Sequence, residues 1–126
     1  MPKFDANISW LFTELPFLDR FEAAARAGFR AVEIQNPYEH PKDAIVARLD
    51  RHALQVALHN MPAGDWAAGE RGLACLPDRV ADFRATSELA LDYAVALRAP
   101  RVHCMAGIAP ANADPRILRD TYVGNL

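Results

Sequence analysis

With 126 residues, 52% hydrophobic and 24% charged, the chain has the composition of one globular domain or part of one, far from a disordered composition. A net charge of −2 offers no basic face for nucleic acid, and no apolar run approaches the roughly 18 residues that suggest a membrane span. The start, Met1-Pro2-Lys3-Phe4-Asp5, lacks the apolar core of a signal peptide, and the separated Cys75 and Cys104 fit reduced, unremarkable thiols in a cytoplasmic protein.

Residues 4–10 are rich in strand formers and predict a first strand. Pro16 opens a helical pattern through Phe17, Leu18, Phe21, Ala24, Ala25 and Ala27, with Gly28 where a C-cap glycine belongs. A second strand over 29–35 ends at the turn signal Asn36-Pro37. Pro41 fits an early helix position, before a stripe of Ile45, Val46, Leu49 and Ala53. Residues 54–60 read as a third strand. A long helix follows over 77–97, with Val80, Phe83, Leu89, Leu91, Tyr93, Ala94 and Leu97 spaced for one buried face. Ala99-Pro100 breaks it, 101–105 form a fourth strand, and Asp114-Pro115 opens a fourth helix through Ile117, Leu118, Tyr122 and Val123.

The order βαβαβαβα implies an α/β fold with a parallel sheet and right-handed crossovers. No internal boundary is evident, so residues 1–126 read as a single partial domain of four βα units. An open, flavodoxin-like sheet normally carries a phosphate-cradling first loop. Here that loop is Leu11-Phe12-Thr13-Glu14-Leu15-Pro16, without glycine, and there is no GxGxxG or P-loop motif. A complete (β/α)8 barrel needs about 250 residues, so the expected architecture is about half of a TIM barrel.

In such a barrel the working residues sit at strand C-terminal ends and in the loops behind them. That set is Asn7 and Ser9, Glu33 and Gln35, His59 and Asn60, and His103 and Met105. Glu33 can hold a substrate hydroxyl, a metal or a proton, or be a carboxylate paired in the barrel mouth. His59 can polarise a carbonyl or be a neutral, hydrogen-bonded core histidine, and strand parity can turn His103 outward. The loop after the third strand, from His59-Asn60-Met61-Pro62-Ala63-Gly64-Asp65-Trp66 to Gly72, is too long for an ordinary connection. In it Arg71 suits bidentate capture of a carboxylate or phosphate, or forms a surface ion pair with Glu70. Trp66 can cover a ligand or pin the loop. His40 and His52 read as surface residues. The spacing of His59 and His103 is no metal signature.

That loop, with Phe4-Asp5-Ala6-Asn7-Ile8-Ser9-Trp10-Leu11-Phe12 and Gly28-Phe29-Arg30-Ala31-Val32-Glu33, closely resembles the hydroxypyruvate isomerase family of xylose-isomerase-like TIM barrels. The resemblance covers essentially the whole chain and the family's N-terminal half. It implies conversion of hydroxypyruvate to 2-hydroxy-3-oxopropanoate (tartronate semialdehyde) through an enediol, with two glutamates as acid and base and a divalent metal, Mg or Mn, polarising the oxygens. It also places those glutamates and the metal ligands on the fifth and later strands, whereas this sequence stops at Leu126. No catalytic or metal-binding residue is therefore carried over, and the stretch alone is expected to hold no metal and to be inactive. The expected substrate-binding set is Asn7, Glu33, His59, Asn60, Trp66, Glu70, Arg71 and His103, acting on a small 2-oxo or hydroxy acid, with no nucleic-acid or membrane partner. The alternatives are a non-catalytic half-barrel that binds a hydroxy acid or pairs as a homodimer through its exposed strand edges, a 2-oxo-tetronate isomerase or sugar epimerase relative, and an endonuclease on the same scaffold.

Overall fold

A computed structural model describes residues 2–126. Its elements are β1 (Ala6–Asn7), α1 (Arg20–Arg26), β2 (Ala31–Ile34), α2 (Lys42–His52), β3 (Gln55–Asn60), α3 (Val80–Leu97), β4 (Val102–His103) and α4 (Pro115–Asn125). Short 3-10 turns at Phe17–Asp19 and Pro77–Arg79 lead into α1 and α3. The strands form one sheet in the order β1-β2-β3-β4, with β1–β2 and β2–β3 parallel. This α/β arrangement is the expected one. The flavodoxin-like alternative starts its sheet in the order 2-1-3, so the sequential order removes it.

The chain folds as two compact units, one of residues 2–59 with Leu91–Val102, the other of Asn60–Ala90 with His103–Leu126. In the first, strand alternation divides the side chains. Ala6, Ile8, Val32 and Ile34 are buried with Phe21, Ala24, Ile45, Leu49, Leu54, Val56, Tyr93 and Leu97. Each large aliphatic or aromatic group so buried stabilises the unit by about 1.5–3 kcal/mol. The alternate positions, Asn7, Ser9, Glu33 and Gln35, stay half-buried and carry the polar chemistry. In the second unit Leu73, Ala74 and Phe83 form a smaller core, with Met61, Leu76, Cys104 and Tyr122 packed on it.

Several boundaries differ from the sequence expectation, each for a local reason. The first strand is shorter than 4–10 because the amides of Trp10 and Leu11 both turn back to Asn7 O, at 3.1 and 2.9 Å. Beyond His103 the backbone pairs with the preceding loop instead of extending β4: Cys75 N donates to Ala106 O at 2.7 Å and Gly72 bridges Ala106. Pro41, expected inside the second helix, is its N-cap in an extended conformation (ψ 131°). On α3, Leu89 and Leu91 are exposed, and the buried residues are Phe83, Ala90, Tyr93, Ala94 and Leu97. Their spacing of seven, three, one and three holds a helical face that the two exposed leucines had masked. His40 and His52, expected at the surface, are half-buried. The His40 ring stacks on Phe17 at 4.5 Å and its carbonyl accepts the Tyr93 hydroxyl at 2.8 Å. Among the described residues, no helix is long and apolar enough to cross a membrane.

Candidate functional site

The residues expected to bind substrate fall in both units. In the first, the β1–β2 register sets Asn7 beside Glu33. Asn7 Nδ2 donates to Glu33 Oε1 at 3.1 Å, while Asn7 Oδ1 accepts the Ser9 amide at 3.1 Å. Both ends of the amide are thus in use, which fixes the edge it presents to the carboxylate. Ser9 Oγ accepts the Gln35 amide at 2.9 Å, continuing the ladder by a side chain where β1 has already turned away. Arg20, which the sequence did not single out, anchors this strand end. Its Nη1 donates to Ile8 O at 2.9 Å and its Nε to Leu15 O at 3.0 Å.

His59 owes its environment to a bulge. Val32 aligns with Val56 but Glu33 aligns with Leu58, so β3 carries Ala57 as one extra residue. A regular register would set His59 beside half-buried Gln35; the slip sets it beside Ile34. His59 is fully buried. Its Nδ1 lies 3.2 Å from the Tyr38 hydroxyl, and Tyr38 meets the Tyr93 ring edge-on at 5.0 Å. Burial, and then the neighbouring Tyr93, push the Tyr38 phenol above its ordinary value of 10.0, so it is present as a neutral hydroxyl. Tyr38 is a member of the site that the sequence reading missed. Its only signal was an aromatic directly after the Asn36-Pro37 turn.

In the second unit the loop after β3 is closed at its base. Met61 N donates to His103 O at 2.9 Å and Gly72 N to Ala63 O at 2.8 Å. Gly72 has φ +108° and packs so tightly that a Cβ would stand 2.1 Å from Met105 O. His103 is exposed, with Nδ1 3.3 Å from Asn60 Oδ1. At the loop tip the Arg71 guanidinium lies 3.6 Å over the Trp66 ring, and its Nη1 donates to Trp66 O at 3.2 Å and Glu70 O at 2.6 Å. Stacking and backbone bonds hold one edge of the fork and leave a flat, oriented cation beside an exposed indole. Glu70 does not pair with Arg71. Its carboxylate bridges Arg79 and the Asp65 amide, and these two, Arg79 first, hold it below the usual carboxylate range.

Among the described residues, no three His, Cys, Asp or Glu side chains come together as a metal-binding group. At the β1–β2 strand ends Glu33 is the one carboxylate, and the Asn7 amide beside it is already committed, Nδ2 to Glu33 and Oδ1 to the Ser9 amide. The two thiols are free. Cys75 is buried, and burial pushes the half-buried Cys104 thiol up, which disfavours the nucleophilic thiolate.

A family model described as Xylose isomerase-like TIM barrel matches residues 21–126. The 2-oxo-tetronate isomerase of Cupriavidus necator is 56% identical over 126 residues, covering 100% of this chain and 48% of that protein. The hydroxypyruvate isomerase of Escherichia coli is 45% identical, covering 100% of this chain and 49% of that protein. A crystal structure described as an AP endonuclease, family 2, from Brucella melitensis superimposes with a TM-score of 0.96 at 46% identity, covering 99% of this chain and 48% of that one. The chain spans about half the length of the curated relatives it matches.

Proposed function

This chain belongs to the xylose isomerase-like TIM barrel family, and from that premise we propose that the whole protein isomerises a short 2-oxo acid. The reaction moves a proton from C3 to C2 of a 2-oxo-3-hydroxy carboxylate through an enediol, which exchanges the positions of carbonyl and hydroxyl. Hydroxypyruvate, giving 2-hydroxy-3-oxopropanoate, is one such substrate. A 2-oxo-tetronate, one carbon longer, is the other. The higher identity to the 2-oxo-tetronate isomerase, 56% against 45%, favours the longer acid.

The observation that carries the reading to this chain's own residues is the stacked Trp66–Arg71 pair. A guanidinium already oriented by an aromatic face and two backbone carbonyls loses little freedom on gripping a carboxylate. In this proposal Arg71 binds the substrate carboxylate and Trp66 shields it. In the other unit the Asn7–Glu33 pair is a polar group of its own at the strand ends, and the Tyr38 hydroxyl orients His59. Acid–base catalysis and the divalent ion are assigned to the remainder of the whole protein, which we place in the cytoplasm. The test is turnover of hydroxypyruvate and of a 2-oxo-tetronate by the full-length protein and by Arg71→Ala. Loss of one charge-assisted carboxylate contact of about 1.5–3 kcal/mol corresponds to a KM rise of roughly 10- to 150-fold. A KM for both acids that ignores Arg71→Ala removes Arg71 from the site.

The Brucella melitensis structure supports a second reading, cleavage of DNA at abasic sites. The net charge of −2 weighs against it, since binding DNA relies on neutralising phosphates with a basic face. Salt-sensitive binding and nicking of an abasic-site duplex, with no turnover of either acid, would establish it.

A further inference from the structure

Glu70 has a set of contacts that neither substrate binding nor proton transfer calls for. One carboxylate oxygen, Oε1, pairs with Arg79 Nη1, and the other, Oε2, accepts the Asp65 amide at 2.5 Å. Arg79, at the end of the 3-10 turn, is itself held through Nε by Asp82 in the first turn of α3. The Glu70 amide closes the same turn from the backbone side, donating to Asp65 O at 3.0 Å, and Asp65 Oδ1 accepts Ala68 N at 3.0 Å. Room for the carboxylate exists because residue 64 is glycine: a Cβ there would stand 2.1 Å from Glu70 Oε2. Trp66 lies inside this turn and Arg71 directly after it. The carbonyls that hold Arg71, those of Trp66 and Glu70, belong to the turn that Glu70 fastens.

We propose that Glu70 is a positioning residue, a clamp from Arg79 to the Asp65 amide that holds residues 64–71 in the shape presenting the Trp66–Arg71 pair to a carboxylate. The proposal rests on the reading of Arg71 as the carboxylate anchor. It assigns Glu70 a different place from the substrate contact expected of it, because one of its oxygens is engaged by Arg79 and the other by the Asp65 amide. A charged, partly shielded pair at 25% and 35% side-chain exposure is a firmer fastening than a more exposed pair such as Arg98–Asp50, at 64% and 58%.

The test uses the full-length protein with Glu70→Gln, which keeps the side-chain length and an acceptor for Asp65 but sets an amide against Arg79. Arg79→Ala breaks the clamp from the other side, should the first variant fail to fold, and Arg79→Lys keeps the charge as the rescue. Amide hydrogen exchange is read at Asp65, with the α3 amides as a control for global unfolding. In Glu70→Gln and Arg79→Ala the Asp65 amide exchanges at least about tenfold faster, while α3 keeps its protection. On the oxo acid turned over, KM rises about tenfold with kcat falling less than about twofold, and Arg79→Lys restores most of the loss. Wild-type exchange at Asp65 in both broken variants overturns the clamp. A loosened loop with wild-type KM overturns its positioning role. If Arg71→Ala leaves KM unchanged, the carboxylate anchor falls instead, and the exchange data still decide whether Glu70 fastens the loop.

Discussion

Replacing Gly72 by alanine tests how the long loop is anchored. Gly72 sits at φ +108°, where an L residue is strained by about 1–3 kcal/mol. The added Cβ would also lie 2.1 Å from Met105 O and 2.4 Å from Met105 C, both backbone atoms that no rotamer change can move. Relief requires the segment around 105 to part from the loop. That loosens the Gly72–Ala106 bridge and the Gly72 N to Ala63 O bond, at about 1 kcal/mol each. The sum is about 3–5 kcal/mol. Gly69→Ala is the matched control. It has nearly the same backbone constraint, φ +92°, but nothing within 4 Å of its Cβ. Its expected cost is the conformational part alone, about 1–3 kcal/mol, which leaves the Met105 contact to account for about 2 kcal/mol more in Gly72→Ala. Denaturant unfolding followed by circular dichroism measures both differences. Equal losses in the two variants would refute the reasoning, because backbone strain would then account for everything and the contact with Met105 for nothing.

Three further outcomes follow from the same geometry. In an alkaline titration followed by phenolate absorbance, Tyr38 ionises later than an ordinary tyrosine, so its part of the absorbance rise vanishes in Tyr38→Phe only at the highest pH. Because its native value is raised, its stability contribution is complete below pH 10.0 and is lost as the pH climbs above it, which unfolding midpoints across that range will show. Glu70 runs the opposite way. Its native carboxyl is depressed by Arg79 and the Asp65 amide, so its contribution is present above 4.5 and drains away as the pH falls below that value, with the Asp65 amide losing protection first. At the start of α4, Asp114 Oδ1 accepts the Arg116 amide at 2.9 Å, and Asp114→Ala is expected to cost about 1 kcal/mol, read as faster exchange in the first turn of α4.

Much of the fold was legible because its signals are local. Gly28, just past the Ala27 C-cap, has the left-handed φ that marks the end of α1, and the Asp114-Pro115 pair opens α4 as a capped helix. The alternation Val32, Glu33, Ile34 separates core from polar face by the period of a strand. What was hidden depends on partners distant in sequence. The bulge at Ala57 is visible only against β2, so the burial of His59 beside Ile34 could not be read from β3 alone. Tyr38 gains its role from His59 and Tyr93, 21 and 55 positions away. The buried stripe of α3 relies on Ala90 and Ala94, small residues whose burial carries little hydrophobic signal, while Leu91 faces outward. The Glu70–Arg71 pairing suggested by adjacency gives way to Glu70–Arg79, because the turn directs the carboxylate back toward the start of α3.

The isomerase reading is tested by proton nuclear magnetic resonance of the full-length protein turning over a 2-oxo-tetronate or hydroxypyruvate in deuterated water. Transfer through an enediol at a solvent-accessible base predicts deuterium at C2 of the 2-hydroxy-3-oxo product and at C3 of recovered substrate, with equilibrium reached from either side. Absence of both the isomer and the deuterium for either acid, from a protein that nicks abasic-site DNA, would contradict the isomerase reading and put the nuclease in its place.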